Sequence, residues 1–199
     1  MAKILVISTH PDDETLGMGG TLLKKRDGGD VLYWMIVTSA HGPFWDEKMI
    51  HLKEDEMTAV AQAYRFEKTF RLGYPATFLN GNHRNDLIAS MRNVMDEVKP
   101  EVVFLMFGRD IHTDHQLAFE CAMVVTKPCR CPELKRMFCY ETLSSTEMAP
   151  PLPGNSFVPN AYCDISNYLE EKIRILALYQ SETQQFPMPR CSESVRALA

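Results

Sequence analysis

The residues best suited to chemistry stand in two short runs. The first, Thr9-His10-Pro11-Asp12-Asp13-Glu14, sets an imidazole beside three carboxylates. The second, Gly108-Arg109-Asp110-Ile111-His112-Thr113-Asp114-His115, places two histidines three residues apart around an aspartate. Imidazole nitrogens and carboxylate oxygens make up the donor set of a hydrolytic zinc site. Such a site needs three protein ligands, an open position for water and a general base nearby. Pro11 stiffens the first turn, so His10 and Asp13 can converge on one point. Asp12, pointing elsewhere, is left close to the metal without binding it. His112 and His115 share one side of a helix's first turn. One of them can supply the remaining nitrogen ligand, and the other can face the substrate carbonyl as an electrophile or acid. Asp114 can hydrogen-bond an imidazole and fix its tautomer.

Other readings of these residues fit less well. Gly17-Met18-Gly19-Gly20 is glycine-rich, as in a dinucleotide loop, but Leu22 stands where the third glycine belongs. Asp12, Asp13 and Glu14 would also repel a pyrophosphate from the helix N-terminus. The glycines are expected instead to allow close helix–sheet packing. Acidic residues at a helix start stabilise its dipole, yet one Asp and one Glu suffice for that, and His10 stays unexplained. Cys129 and Cys131 lack the two-residue spacer of a zinc knuckle. With no export signal, the six cysteines are expected to be reduced thiols. His41, His51 and His83 are scattered singly and read as surface or loop residues.

The elements that must position these runs follow from the hydrophobic patterning. Strands are predicted at Lys3–Ser8, Val31–Thr38, Lys68–Leu72, Glu101–Met106 and Arg136–Tyr140. Helices are predicted at Glu14–Asp27, His51–Phe66, Arg84–Val98, Asp114–Thr126 and Ser166–Gln180, with helical spacing again in Glu193–Ala199. The alternation implies an α/β fold: a single Rossmann-like domain spanning 1–199, with a mainly parallel sheet and helices on both faces. Pro150, Pro151, Pro153 and Pro159 mark a long loop over the sheet edge. Both chemical runs follow directly on strands, and ligands bind at the carboxyl ends of strands in open α/β sheets.

Composition narrows the function classes. The chain has 199 residues, 45% hydrophobic and 24% charged, ordinary for a globular protein. Its net charge of -5, without a long basic run, argues against nucleic-acid binding. Its apolar runs are far shorter than the roughly 20 residues of a membrane span, and the first is too short for a signal peptide. A cytoplasmic protein is expected, and a homo-oligomer is compatible with the sequence. The final helical pattern stops without a C-cap signal, so a short C-terminal segment is expected to be missing.

His10-Pro11-Asp12-Asp13-Glu14 with Gly17 and Gly19-Gly20, and His112-Thr113-Asp114-His115, resemble the two signatures of the PIG-L/LmbE-like zinc-dependent N-deacetylases. Leu72-Gly73-Tyr74-Pro75 and Tyr140-Glu141-Thr142 extend the resemblance over nearly the whole chain. It implies a Rossmann-like fold and removal of acetyl groups from N-acetylglucosamine-type sugars or their conjugates. Carried over, it makes His10, Asp13 and His115 the ligands of zinc, with ferrous iron as the alternative. Asp12 becomes the general base, and His112, protonated, stabilises the oxyanion or protonates the leaving amine. Two positions depart from the family pattern. Ala76 stands where an acidic residue often binds sugar hydroxyls. Lys53 replaces an arginine, and a point charge does not reproduce the planar fork. Lys53 and Trp45 are the candidate substrate contacts; Phe44 and Trp45 could stack on a sugar face or anchor their loop. The rival functions are a non-catalytic sugar-binding protein on the same fold and a metal-dependent hydrolase of another amide or an ester.

Overall fold

β1 (Lys3–Ser8) is buried at every residue after Lys3, as a strand covered on both faces must be. In the computed structural model, which describes residues 1–199, β1 lies at the centre of a five-stranded sheet. The other strands are β2 (Val31–Ser39), β3 (Lys68–Pro75), β4 (Val102–Met106) and β5 (Arg136–Tyr140), in the order β3-β2-β1-β4-β5. Every pairing is parallel.

The chain winds outward from β1 through α1 (Asp13–Asp27), β2 and α2 (Glu47–Tyr64) to β3. It then crosses back through α3 (Arg84–Val98) to β4, and runs through α4 (Thr113–Val125) to β5. Right-handed crossovers in opposite directions put helices on opposite faces. Accordingly α3 packs on α4, while α1 packs on α2 and α5 (Leu169–Leu176), with α6 (Ser192–Leu198) against α5. The chain leaves β1 toward β2 and leaves β4 toward β5, so a crevice opens between the carboxyl ends of β1 and β4. This is the topological switch point at which ligands bind in such sheets.

Gly17 shows why α1 needs a residue without a side chain. A Cβ there would lie 2.3 Å from Cδ2 of Tyr140 and 2.5 Å from the Glu141 carbonyl oxygen. The close helix–sheet packing expected of this glycine is therefore met, at the end of β5. Gly19 faces the other way, where a Cβ would meet the Tyr64 hydroxyl of α2 at 2.6 Å.

Two helices differ from their predicted spans by more than two residues. α2 begins at Glu47, four residues before the predicted start, because Asp46 caps it by accepting from the Met49 amide at 2.7 Å. The last long helix, predicted as Ser166–Gln180, is regular only over Leu169–Leu176. Beyond it the amides of Leu178, Tyr179 and Glu182 bond to carbonyls three residues back. These tighter turns swing Ser181 and Glu182 toward the crevice. No helix is long and apolar enough to cross a membrane.

Candidate active site

The loop after β1 is organised by one carboxylate. Asp13 Oδ2 accepts from the amides of Thr9 (2.9 Å) and His10 (2.8 Å), which leaves Oδ1 facing His115 Nε2 at 3.4 Å. Asp12, between them, has φ 115° and ψ −29°, a left-handed conformation outside the region favoured by L-residues. Its amide donates to Glu14 Oε2 (3.3 Å), and its carbonyl starts α1 by accepting from Thr15 and Leu16.

After β4, Asp110 organises the second loop. Its Oδ1 accepts from the His112 amide at 2.8 Å and its Oδ2 bonds His115 Nδ1 at 2.6 Å. Asp114 sends its side chain across the crevice, where Oδ2 bonds His10 Nε2 (3.0 Å) and accepts from the Thr77 amide (2.7 Å). Each imidazole thus has one nitrogen committed to a carboxylate as an N–H donor. The other nitrogens, His10 Nδ1 and His115 Nε2, stand 3.1 Å apart.

His115 Nε2 faces both His10 Nδ1 and Asp13 Oδ1, and the proton it holds between them is one that a cation can displace. The spacings of 3.1 and 3.4 Å match the separation of about 3.3 Å between tetrahedral ligands with zinc-type bonds. The donor set therefore fits a divalent metal. His112 is near enough to form a cluster with His10 and His115. However, its Nδ1 accepts from the Asp114 amide at 3.2 Å, so the neutral ring carries its proton on Nε2 and presents a donor.

The charges follow from this geometry. Burial, then Asp13 and Glu182, push the Asp12 carboxyl well up, against Arg190, which pulls it down. Burial raises Asp13, but His115 outweighs it and holds that carboxyl well below the usual range. Burial works against charge on His115 as well, but Asp13 and Asp110 raise its pKa to about 10. Burial, followed by His10 and His115, lowers His112 to about 4. Where the sequence suggested a protonated His112, these surroundings favour a neutral ring with its proton on Nε2.

A cavity of about 500 Å³ opens over the cluster, and its wall includes His10, Asp12, Asp13, His112 and His115. Trp45 and Lys53 line it too, as does Ala76, the departure noted in the sequence. Phe44 does not line the cavity; it stacks on Phe78 outside, with ring centroids 4.3 Å apart. The Lys53 ammonium is paired with Glu182 and Ser181, so its charge is already engaged. His41, His51 and His83 stand outside this wall.

Sequence reasoning missed three contributors. Asp110 was visible beside the second motif, two residues before His112. Glu14 forms a buried network, accepting from Ser8, Thr15 and Tyr179. Arg190 reaches Asp12 at 3.0 Å from 178 residues away, with no local pattern to announce it.

Residues 5–126 match the family model described as PIG-L: GlcNAc-PI de-N-acetylase. The diacetylchitobiose deacetylase of Thermococcus kodakarensis is 25% identical over 195 residues, covering 93% of this chain and 70% of that protein. The deacetylase YaiS of Escherichia coli, itself uncharacterized, is 24% identical over 184 residues, 89% of this chain and 90% of its own. The fold is shared more widely. GalB, the 4-carboxy-2-hydroxymuconate hydratase of Pseudomonas putida, superposes with a TM-score of 0.71 at 18% identity, covering 100% of this chain and 85% of that one. Architecture alone therefore does not fix the reaction. The family match spans more than half of the chain and contains both histidine–aspartate motifs, and the chain belongs to the PIG-L family of N-deacetylases.

Proposed function

We propose that the chain hydrolyses the N-acetyl group of an N-acetylglucosamine-type sugar or sugar conjugate, using a divalent ion held by His10 Nδ1, Asp13 Oδ1 and His115 Nε2. The observation that supports this reading is that His115 Nε2 stands 3.1 Å from His10 Nδ1 and 3.4 Å from Asp13 Oδ1 in the wall of an open cavity. Two imidazoles and a carboxylate suit zinc, with ferrous iron as the alternative. When bound there, the ion supplies Lewis acidity, making water nucleophilic near neutral pH and polarising an amide carbonyl.

The chain's own residues do the rest. Asp12 has one oxygen on Arg190 and accepts the water's proton with the other as the water oxygen bonds the amide carbon. His112 Nε2–H donates to the carbonyl oxygen as that oxygen becomes negative, the arrangement of an oxyanion hole. The C–N bond then breaks, and the proton gathered by Asp12 goes to the departing nitrogen, releasing acetate and a free amine. Asp114 and Asp110 engage the outward nitrogens of His10 and His115 and so aim their inward nitrogens at the ion, which takes the place of the inward proton of His115. Trp45 offers an apolar face for a sugar ring. The substrate class is supported by the family description and by the Thermococcus relative, both of which name N-acetylglucosamine compounds.

The test uses protein stripped by chelator and reloaded with one equivalent of zinc or ferrous iron. N-acetylglucosamine, diacetylchitobiose, and nucleotide- and lipid-linked N-acetylglucosamine are supplied, and free amine and acetate are measured. Metal-dependent release of both in equal amounts is expected. Binding of these sugars with no acetate released, or turnover confined to other amides or esters, would overturn the proposal.

A further inference from the structure

The proposed chemistry leaves Arg190 without a role, although it touches the base. Its Nη1 donates to Asp12 Oδ2 at 3.0 Å and to Glu182 Oε2 at 2.7 Å, one hydrogen to each. Its Nε is buried with no acceptor. An orphaned buried donor is unfavourable, so the seat of this guanidinium is not explained by satisfying its own hydrogen bonds. It is held by its surroundings. Glu182 also takes the Lys53 ammonium. The adjacent Ser181 bonds buried Glu56 of α2 through its amide (2.8 Å) and hydroxyl (2.7 Å). The Arg190 backbone is clasped on both sides by Gln184, whose amide donates to the Arg190 carbonyl and whose side chain accepts from the Arg190 amide.

Asp12 has reason to need a tether. It occupies the N-cap position of α1, where an Asp side chain ordinarily turns back onto the first-turn amides. Here it makes no such bond. One of its oxygens is on Arg190, and the other has no bond from the protein. We propose that Arg190 is a positioning residue that holds Asp12 by Oδ2 away from the helix cap, so that Oδ1 is presented to the cavity as the proton acceptor. This inference rests on the deacetylase reading, in which Asp12 is the base.

The experiment compares wild type, Arg190→Met, Arg190→Lys, Asp12→Asn and the Asp12→Asn/Arg190→Met double variant, each loaded with zinc, on N-acetylglucosamine and diacetylchitobiose. Arg190→Met should bind metal as wild type does and keep KM within about threefold. Its kcat should fall about 10- to 100-fold, the scale of a misplaced reacting group. In the Asp12→Asn background the same change should cost nothing further, because a residue acting through Asp12 has nothing left to act on. A kcat within about twofold of wild type, or a further tenfold loss in the double variant, would overturn the assignment. Only Nη1 is used, so Arg190→Lys should stay within about tenfold of wild type; it carries the test if Arg190→Met does not fold. Crystal structures add a readout that needs no turnover. In Arg190→Met the Asp12 carboxylate should leave its wild-type rotamer, and in Arg190→Lys it should keep it. An unmoved carboxylate in Arg190→Met refutes the positioning role even if no N-acetyl sugar is a substrate. A moved carboxylate with an inactive wild type supports the positioning role and counts against the deacetylase reading alone.

Discussion

His115 lies 2.6 Å from Asp110 and 3.4 Å from Asp13. Burial disfavours its charge, but the two carboxylates prevail and its pKa rises to about 10. At pH 7 the ring is therefore almost wholly protonated, against about a quarter for an ordinary histidine with a pKa of 6.5. An ion bound through Nε2 must displace that proton. About one proton should leave His115 per ion bound at pH 7, and the apparent affinity should rise about tenfold per pH unit from pH 7 to 9. Calorimetric titration in buffers of different ionisation enthalpy counts the protons. In Asp110→Asn, a carbonyl still orients the ring but the charge is gone, so proton release should shrink and metal affinity fall about 10- to 100-fold. The sign for stability follows. The folded pKa lies above the unfolded one, so this contribution is fully present below pH 6.5 and is lost as pH rises through 10. Its ceiling is about 5 kcal/mol. Release of a quarter of a proton or less at pH 7, or an affinity that flattens above pH 7, would refute the reasoning.

Asp12→Asn should keep its metal while kcat falls about 10²–10⁴-fold, the usual contribution of a general base; undiminished acetate release would remove Asp12 from that role. His112→Ala should also keep metal and lose about 10²–10³-fold in rate, as when one oxyanion donor is removed. Because His112 is already neutral above about pH 4, the alkaline side of the rate profile should be unchanged in that variant, and a lost alkaline limb would show that the ring works protonated. Glu14, fully buried, has its pKa raised to about 7 by burial, against hydrogen bonds from Thr15 and Tyr179. Its contribution to stability is present below the unfolded value of 4.5 and is lost as pH rises through 7. The unfolding free energy of metal-free wild type, from urea titrations, should therefore drop from pH 5 to 8 relative to Glu14→Gln, by up to about 3 kcal/mol; parallel pH dependences would contradict the shift.

The strands were legible because burial on both faces leaves near-continuous apolar runs such as Ile4–Ile7 and Val103–Met106. Both halves of the candidate metal site were legible because each is local. Pro11 sits within a turn that Asp13 closes onto the backbone three and four residues back, and His112 and His115 share the start of α4. What spans the chain was not legible. Nothing near Asp114 says that its partner is His10, 104 residues earlier. Nothing near Glu14 names Tyr179, and nothing near Asp12 names Arg190. Turn geometry and helical spacing are fixed by neighbours in sequence. The sheet order that opens the β1/β4 crevice, and the tight turns after α5 that bring Glu182 and Arg190 to it, depend on how whole elements pack, and only the tertiary structure decides that.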